Sequence, residues 1–198
     1  NLDGVNIAAY RECNIENYGT TSITGSVITV TGGFGIGNEG TVVIENSKLV
    51  ADGEATSQIY CLGGTMNITN SELVEGSNFK EYYEYAPIDV FYEGTKVTLN
   101  DVTITTSNDV PNIHAGLGCE VVINSGTFNG ALSCTNGSTI TLYGGKFGDK
   151  TFDAIYQDGA EAVKQFVEAD IEMPQAIISS NDFMAFSAFE ELTKRGFK

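Results

Sequence analysis

Basic residues are scarce in this chain: 10 Lys and Arg stand against 26 Asp and Glu, a formal net charge of -16. A surface of that sign repels nucleic-acid phosphates and anionic membranes, so nucleic-acid binding is disfavoured, whereas cations and neutral glycans suit it. Histidine is scarcer still. His114 is the only one, which leaves no His-based triad and no multi-His metal site to expect within one chain. Preceded by the polar stretch from Ser107 to Asn112, it reads as a loop histidine. The cysteines at 13, 61, 119 and 134 lack any C-x-x-C spacing, so neither a zinc site nor a redox motif is indicated. They read as small buried hydrophobes, with Cys119 directed inward. No run of 18 apolar residues exists to cross a bilayer. No secretory leader stands at Asn1, as a mature or trimmed secreted protein would show. No cofactor is expected, with calcium the one possibility left open. Asp52, Glu54, Asp101 and Asp109 lie in or near loops, but no twelve-residue calcium loop is present.

What the sequence does have is a repeat. From Gly25 to Phe147, two apolar residues one apart are followed by a third large apolar residue: Ile28, Val30, Phe34; Val42, Ile44, Leu49; Met66, Ile68, Leu73; Val97, Leu99, Ile104; Val121, Ile123, Phe128; Ile140, Leu142, Phe147. The third follows the second by five positions in every copy but the first, where it follows by four. Between them sit turn formers: Gly32-Gly33, Asn46-Ser47, Asn70-Ser71, Asp101-Val102, Ser125-Gly126 and Gly144-Gly145. Gly, Asn and Asp accept left-handed backbone angles, so the unit reads as strand, tight corner, strand. Copies recur after 14, 24, 31, 24 and 19 residues, and such variation places the insertions in loops.

The fold class expected is all-β: a parallel β-helix over residues 1–150 followed by a short α-β-α segment over 151–198. Equivalent residues would stack about 4.8 Å apart, because one coil cannot bury its apolar face alone. The expected inward ladders are Ile28/Val42/Met66/Val97/Val121/Ile140, Val30/Ile44/Ile68/Leu99/Ile123/Leu142 and Phe34/Leu49/Leu73/Ile104/Phe128/Phe147. A β-sandwich of short strands is the alternative, but Asn-Gly hairpin signals occur only at 129–130 and 136–137. Cys61 and Cys134 fall three coils apart, roughly 14 Å at that spacing, beyond disulfide reach. Residues 1–24 predict one or two degenerate starting coils, and Gly35–Gly40 a glycine-rich turn.

The insertion from Glu75 to Pro87 carries Phe79, Tyr82, Tyr83 and Tyr85 beside Glu75, Glu81 and Glu84. Rings stack on sugar faces and carboxylates accept sugar hydroxyls, so Tyr82, Tyr83, Tyr85, Glu81 and Glu84 form a candidate glycan platform. The same residues also fit a lid over the solenoid edge. Outward positions such as Val27/Thr29, Thr41/Val43 and Thr65/Asn67 read as a plain β surface without a catalytic cluster. In the tail, Gly159–Val167 reads as helical and Ala176–Ile178 as a strand. Asn181-Asp182 caps a helix over Phe183–Arg195, closed by Gly196.

The phrases G-T-V-V-I-E-N-S-K-L from Gly40 and G-T-M-N-I-T-N-S-E-L from Gly64 resemble the pectate-lyase-like superfamily of right-handed β-helices, in particular its non-catalytic glycine- and asparagine-rich members on bacterial surfaces. That resemblance implies architecture more than activity. The acidic calcium cluster and basic proton abstractor of the family's enzymes have no counterpart here. Pro174 to Ala188, with L-T-K-R-G-F-K after it, resembles the sugar-sensing effector domain of LacI-type regulators and periplasmic sugar-binding proteins. The likeness covers the tail alone, which implies a cap or a fused fragment, and it would put Asn181 at a sugar. The leading expectation is a secreted or cell-surface, non-catalytic carbohydrate-binding or adhesion protein with glycan or matrix partners. A polysaccharide lyase or hydrolase and a sugar sensor are the rivals.

Overall fold

The computed structural model describes all of the chain except residues 10–12, 81–84, 108–110, 136, 149, 152–162, 165–181 and 198. The chain divides into two compact units, Asn1–Asp149 and Lys150–Lys198.

The first unit is a parallel β-solenoid of about six turns. Its strands in chain order are β1 (Leu2–Asp3), β2 (Asn6–Ala9), β3 (Cys13–Asn17), β4 (Thr20–Thr24), β5 (Val27–Asn38), β6 (Thr41–Glu45), β7 (Lys48–Cys61), β8 (Thr65–Thr69), β9 (Glu72–Glu75), β10 (Ile88–Val90), β11 (Lys96–Asn100), β12 (Val102–Thr105), β13 (Pro111–Ala115), β14 (Glu120–Ile123), β15 (Gly126–Phe128), β16 (Ala131–Cys134), β17 (Thr139–Leu142) and β18 (Lys146–Phe147). One sheet stacks β1-β4-β6-β8-β11-β14-β17. The other has two halves. Its first half aligns β2, β9, β12, β15 and β18 with the starts of β5 and β7, and its second half aligns β3, β10, β13 and β16 with their ends.

The first expected copy is out of phase. Ile23, not Val30, pairs with Ile44, so the ladder reads Leu2, Ile23, Ile44, Ile68, Leu99, Ile123, Leu142. Thr21, not Ile28, pairs with Val42. Ile28 instead opens out beside Ile7 and Leu49 in the ladder that continues through Leu73, Ile104, Phe128 and Phe147. Phe34 pairs with Cys13 and Ser57. The misleading feature is Gly32-Gly33, which imitates a corner but sits at a register irregularity inside β5. The expected turn at Gly35–Gly40 is likewise strand as far as Asn38. With Ile23 and Ile28 in place, the five-residue spacing holds in every coil, including Leu2 to Ile7. The outward pair of that coil is accordingly Thr20/Ser22, not Val27/Thr29.

Rung residues Ile23, Ile44, Ile68, Leu99 and Ile123 are all fully buried. At roughly 1.5–3 kcal/mol for each such side chain, the stack of rungs is the main stabilising contribution. Corners fall two residues after each rung. Asn46 (φ 50), Asn70 (φ 46) and Asp101 (φ 53) take the left-handed conformation there, which short polar side chains tolerate better than branched ones. A column of serines locks these corners. Ser47 Oγ donates to Glu45 O at 2.8 Å and accepts from Ser26 N at 3.1 Å; Ser71 Oγ does the same with Thr69 O and Ser47 N. Asn70 Nδ2 donates to Asn46 Oδ1. Gly64 accounts for the glycine that opens the repeated phrase, since a side chain there would collide with the Gly40 carbonyl of the coil before.

In the second unit, helix α1 (Asp182–Lys194) begins within a residue of the expected start. It closes at Gly196 (φ 85), where Phe197 N donates to Leu192 O and Gly196 N to Thr193 O, both at 3.1 Å. That pair of bonds is a Schellman cap. Val163 and Lys164 are also helical, and the expected strand at 176–178 lies outside the described residues.

Candidate functional site

On the second half of the larger sheet, the residue between two inward positions faces outward in each coil. Register joins these residues into one column: Glu16, Gly37, Tyr60, Asp89, His114 and Ser133. The inward neighbours Ile36, Ile59, Ile88 and Ile113 are fully buried, which fixes the orientation of what lies beside them.

At the N-terminal end of this column lies a groove of about 200 Å³ lined by Glu16, Tyr18, Phe34, Gly37, Glu39 and Tyr60, among others. Gly37 is its floor. Its missing side chain leaves space opposite Tyr60, and a Cβ there would press on Cys13 Sγ at 3.1 Å. The Phe34 and Tyr60 rings stack with centroids 4.2 Å apart and planes within 16°. Phe91 continues the aromatic line, 5.7 Å from Tyr60 and 5.4 Å, edge-on, from His114. Tyr18 stands 71% exposed at the rim. The Glu16 and Glu39 carboxylates hold its phenol proton more firmly than usual. Burial does the same for Tyr60, with the Asp89 carboxylate adding to it. The rim is braced from below, where buried Asn17 donates to Asn38 Oδ1 at 2.8 Å and Asn38 donates to the Gly40, Gly63 and Thr65 carbonyls.

Farther along, Asp89 Oδ1 lies 3.0 Å from His114 Nδ1, with side-chain exposures of 11% and 31%. His114 is therefore a strand residue on β13, not a loop histidine. Pro111 occupies the first strand position, where a missing N–H is tolerated.

Of the residues singled out from sequence, Tyr85 is described and it is 3% exposed. Its hydroxyl donates to Gln58 Oε1 at 3.0 Å, its ring packs 4.8 Å from that of Phe79, and burial pushes its phenol far above the usual range. A ring held this way is not an exposed sugar platform. Tyr82, Tyr83, Glu81, Glu84 and Asn181 lie outside the described residues, as does Asp109. Asp52 accepts hydrogen bonds from Asn78, Glu54 lies 4.0 Å from Lys80, and the amide of Asp101 donates to Ser125. Among the described residues no three His, Cys, Asp or Glu gather to hold a metal. No disulfide joins any of the four cysteines; Cys61 and Cys119 are buried, but Cys13 is only partly so and Cys134 is exposed, against the expectation for both. No helix among the described residues is long and apolar enough to cross a membrane.

Sequence reasoning passed over Glu16, Tyr18, Glu39, Tyr60, Asp89 and Phe91, and took Phe34 for an inward rung. The signal was present in the triplets Ile59-Tyr60-Cys61, Ile88-Asp89-Val90 and Ile113-His114-Ala115, each a polar or aromatic residue between two inward ones. No family model, curated protein or solved structure matches the chain.

Proposed function

We propose that this is a secreted or cell-surface β-solenoid that holds neutral glycans in the groove at Phe34 and Tyr60, serving carbohydrate binding or adhesion to a glycan matrix. The observation that carries the reading is the stacked Phe34–Tyr60 pair beside the Glu16 and Glu39 carboxylates. Flat rings match the apolar faces of sugars, and carboxylates accept their hydroxyls. Among the described residues of the groove lining the charged groups are the Glu16 and Glu39 carboxylates, which favours neutral sugars over uronates or sulfated chains. The solenoid and its glycine- and asparagine-rich phrases support a place among the bacterial, surface-exposed members of the pectate-lyase-like superfamily.

A glycan array read at several salt concentrations tests the proposal. Neutral glycans should bind, and Tyr60→Ala should weaken binding at least about tenfold, or 1.4 kcal/mol. Equal signals from wild-type and Tyr60→Ala protein across the array would remove the groove from consideration.

A further inference from the structure

The outward column does not end at the groove. Asp89, His114 and Ser133 occupy the same register position in three successive coils. Their strands lie about 4.8 Å apart, which sets a carboxylate, an imidazole and a hydroxyl in line. A single histidine thus suffices for a triad, contrary to the expectation from composition. Asp89 Oδ1 holds His114 Nδ1 at 3.0 Å, and the edge-on Phe91 ring packs beside the imidazole. With Nδ1 turned to the coil before, Nε2 is left on the other side of the ring, where the next coil carries Ser133. The neighbouring Leu132 packs on the core, so Ser133 stands on the outer face. In a free enzyme the serine–histidine contact is often open and tightens on substrate.

We propose that Asp89, His114 and Ser133 form a hydrolytic triad that cleaves acyl esters, the preferred substrate being an acyl ester carried on a neutral glycan. The glycan part rests on the groove reading above; the esterase part does not. Ser133 Oγ attacks the acyl carbonyl carbon while His114 Nε2 takes the hydroxyl proton. The bond from that carbon to the sugar oxygen breaks, and His114 returns the proton to the departing oxygen as a sugar hydroxyl. Water then attacks acyl-Ser133, again giving its proton to His114. The carbon–Oγ bond breaks, Ser133 recovers the proton, and a carboxylic acid leaves. Asp89 is a positioning residue that fixes the tautomer and stabilises the imidazolium. Tyr60 lies two coils from His114, roughly 10 Å, so an oligosaccharide lying along the solenoid axis reaches both.

Turnover of p-nitrophenyl acetate and of an O-acetylated neutral oligosaccharide tests this. Ser133→Ala and His114→Asn should each lower the rate by about 10²-fold or more, and Asp89→Asn by about 10²–10⁴-fold. Cys134→Ser should leave it unchanged, which separates the triad from acylation of the exposed neighbouring thiol. A fluorophosphonate probe on wild-type protein should label Ser133 by mass spectrometry even if the alanine variant folds poorly. With one histidine in the chain, a far-downfield imidazole proton in the NMR spectrum belongs to His114, and Asp89→Asn should remove it. No turnover above buffer, wild-type turnover by Ser133→Ala, loss of turnover in Cys134→Ser, or a probe that spares Ser133 would each overturn the triad. Ser133-dependent turnover of p-nitrophenyl acetate without glycan binding would support the esterase and remove the glycan reading. Glycan binding without Ser133-dependent turnover would do the reverse.

Discussion

Tyr85 and Gln58 are 27 residues apart in sequence and share a buried hydrogen bond of 3.0 Å. Gln58 is itself fully buried, and its amide donates to the Leu49 and Val74 carbonyls at 3.0 and 2.8 Å. The base of the longest insertion is thereby tied to two successive coils at once. Replacing Tyr85 by Phe keeps the ring and strands the Gln58 carbonyl oxygen without its donor. The expected loss is about 1–3 kcal/mol, read as a lower urea midpoint with an unchanged slope.

The same tyrosine gives the fold a pH dependence at the alkaline end. Burial raises the Tyr85 phenol well above its usual 10.0, and burial also raises Tyr60. Above pH 10 the unfolded chain therefore releases phenol protons that the folded chain keeps. Fewer protons bound in the unfolded state means that stability falls as pH rises, and it is fully present below pH 10. Melting temperatures between pH 9 and 11 should drop, and the drop should be shallower in Tyr85→Phe. Equal slopes in the two proteins would show that burial of this phenol is not responsible.

Asn70 combines a left-handed backbone (φ 46) with a 2.7 Å bond from its amide to Asn46 Oδ1. Asn70→Gly should lose only the exposed side-chain bond, whereas Asn70→Ala should also carry the left-handed strain of about 1–2 kcal/mol. Ordering wild type, glycine and alanine variants by chemical denaturation checks the corner argument, and an alanine variant as stable as the glycine one would refute it.

Position within the stack should matter as much as residue type. Ile68 is fully buried in a central coil, while Ile140 in the last described turn remains partly exposed. Ile68→Ala is expected to cost about 2–5 kcal/mol, and Ile140→Ala clearly less, because its site already meets solvent. Thermal melts of the two variants side by side settle the comparison.

Most of the solenoid was readable because two observables repeat together: the rung residues and the turn formers two positions later. The phase of the first copy was not readable, because Gly32-Gly33 imitates a corner while the true corner, Gly25-Ser26, is flanked by the less conspicuous Ile23 and Ile28. The interval of 14 residues it produced, the shortest of the series, was the visible sign of the slip. The outward column was harder still. Between Leu49 and Ile59, Leu73 and Ile88, and Ile104 and Ile113 the chain inserts different numbers of residues, so phase cannot be carried from the regular rungs to the third strand of each turn. The Phe34–Tyr60 stack is beyond any register rule, since Tyr60 is paired with Gly37 and Phe34 reaches it from three residues upstream. Tyr85 looked like a ligand-binding ring because composition reports an aromatic cluster without saying which members are covered.

The Ser47–Ser71 and Asn46–Asn70 bonds at the corners join each residue to its own equivalent 24 positions on. A segment such as residues 41–64 therefore carries both halves of these corner contacts for stacking on a copy of itself. Duplicating it would lengthen the molecule by one rise of about 4.8 Å without asking for a new core. Inserted between the groove and His114, such a duplicate would move the two apart by a fixed increment. Copying whole turns would thus change spacings along the solenoid axis in fixed steps, in the way a vernier scale moves one notch at a time.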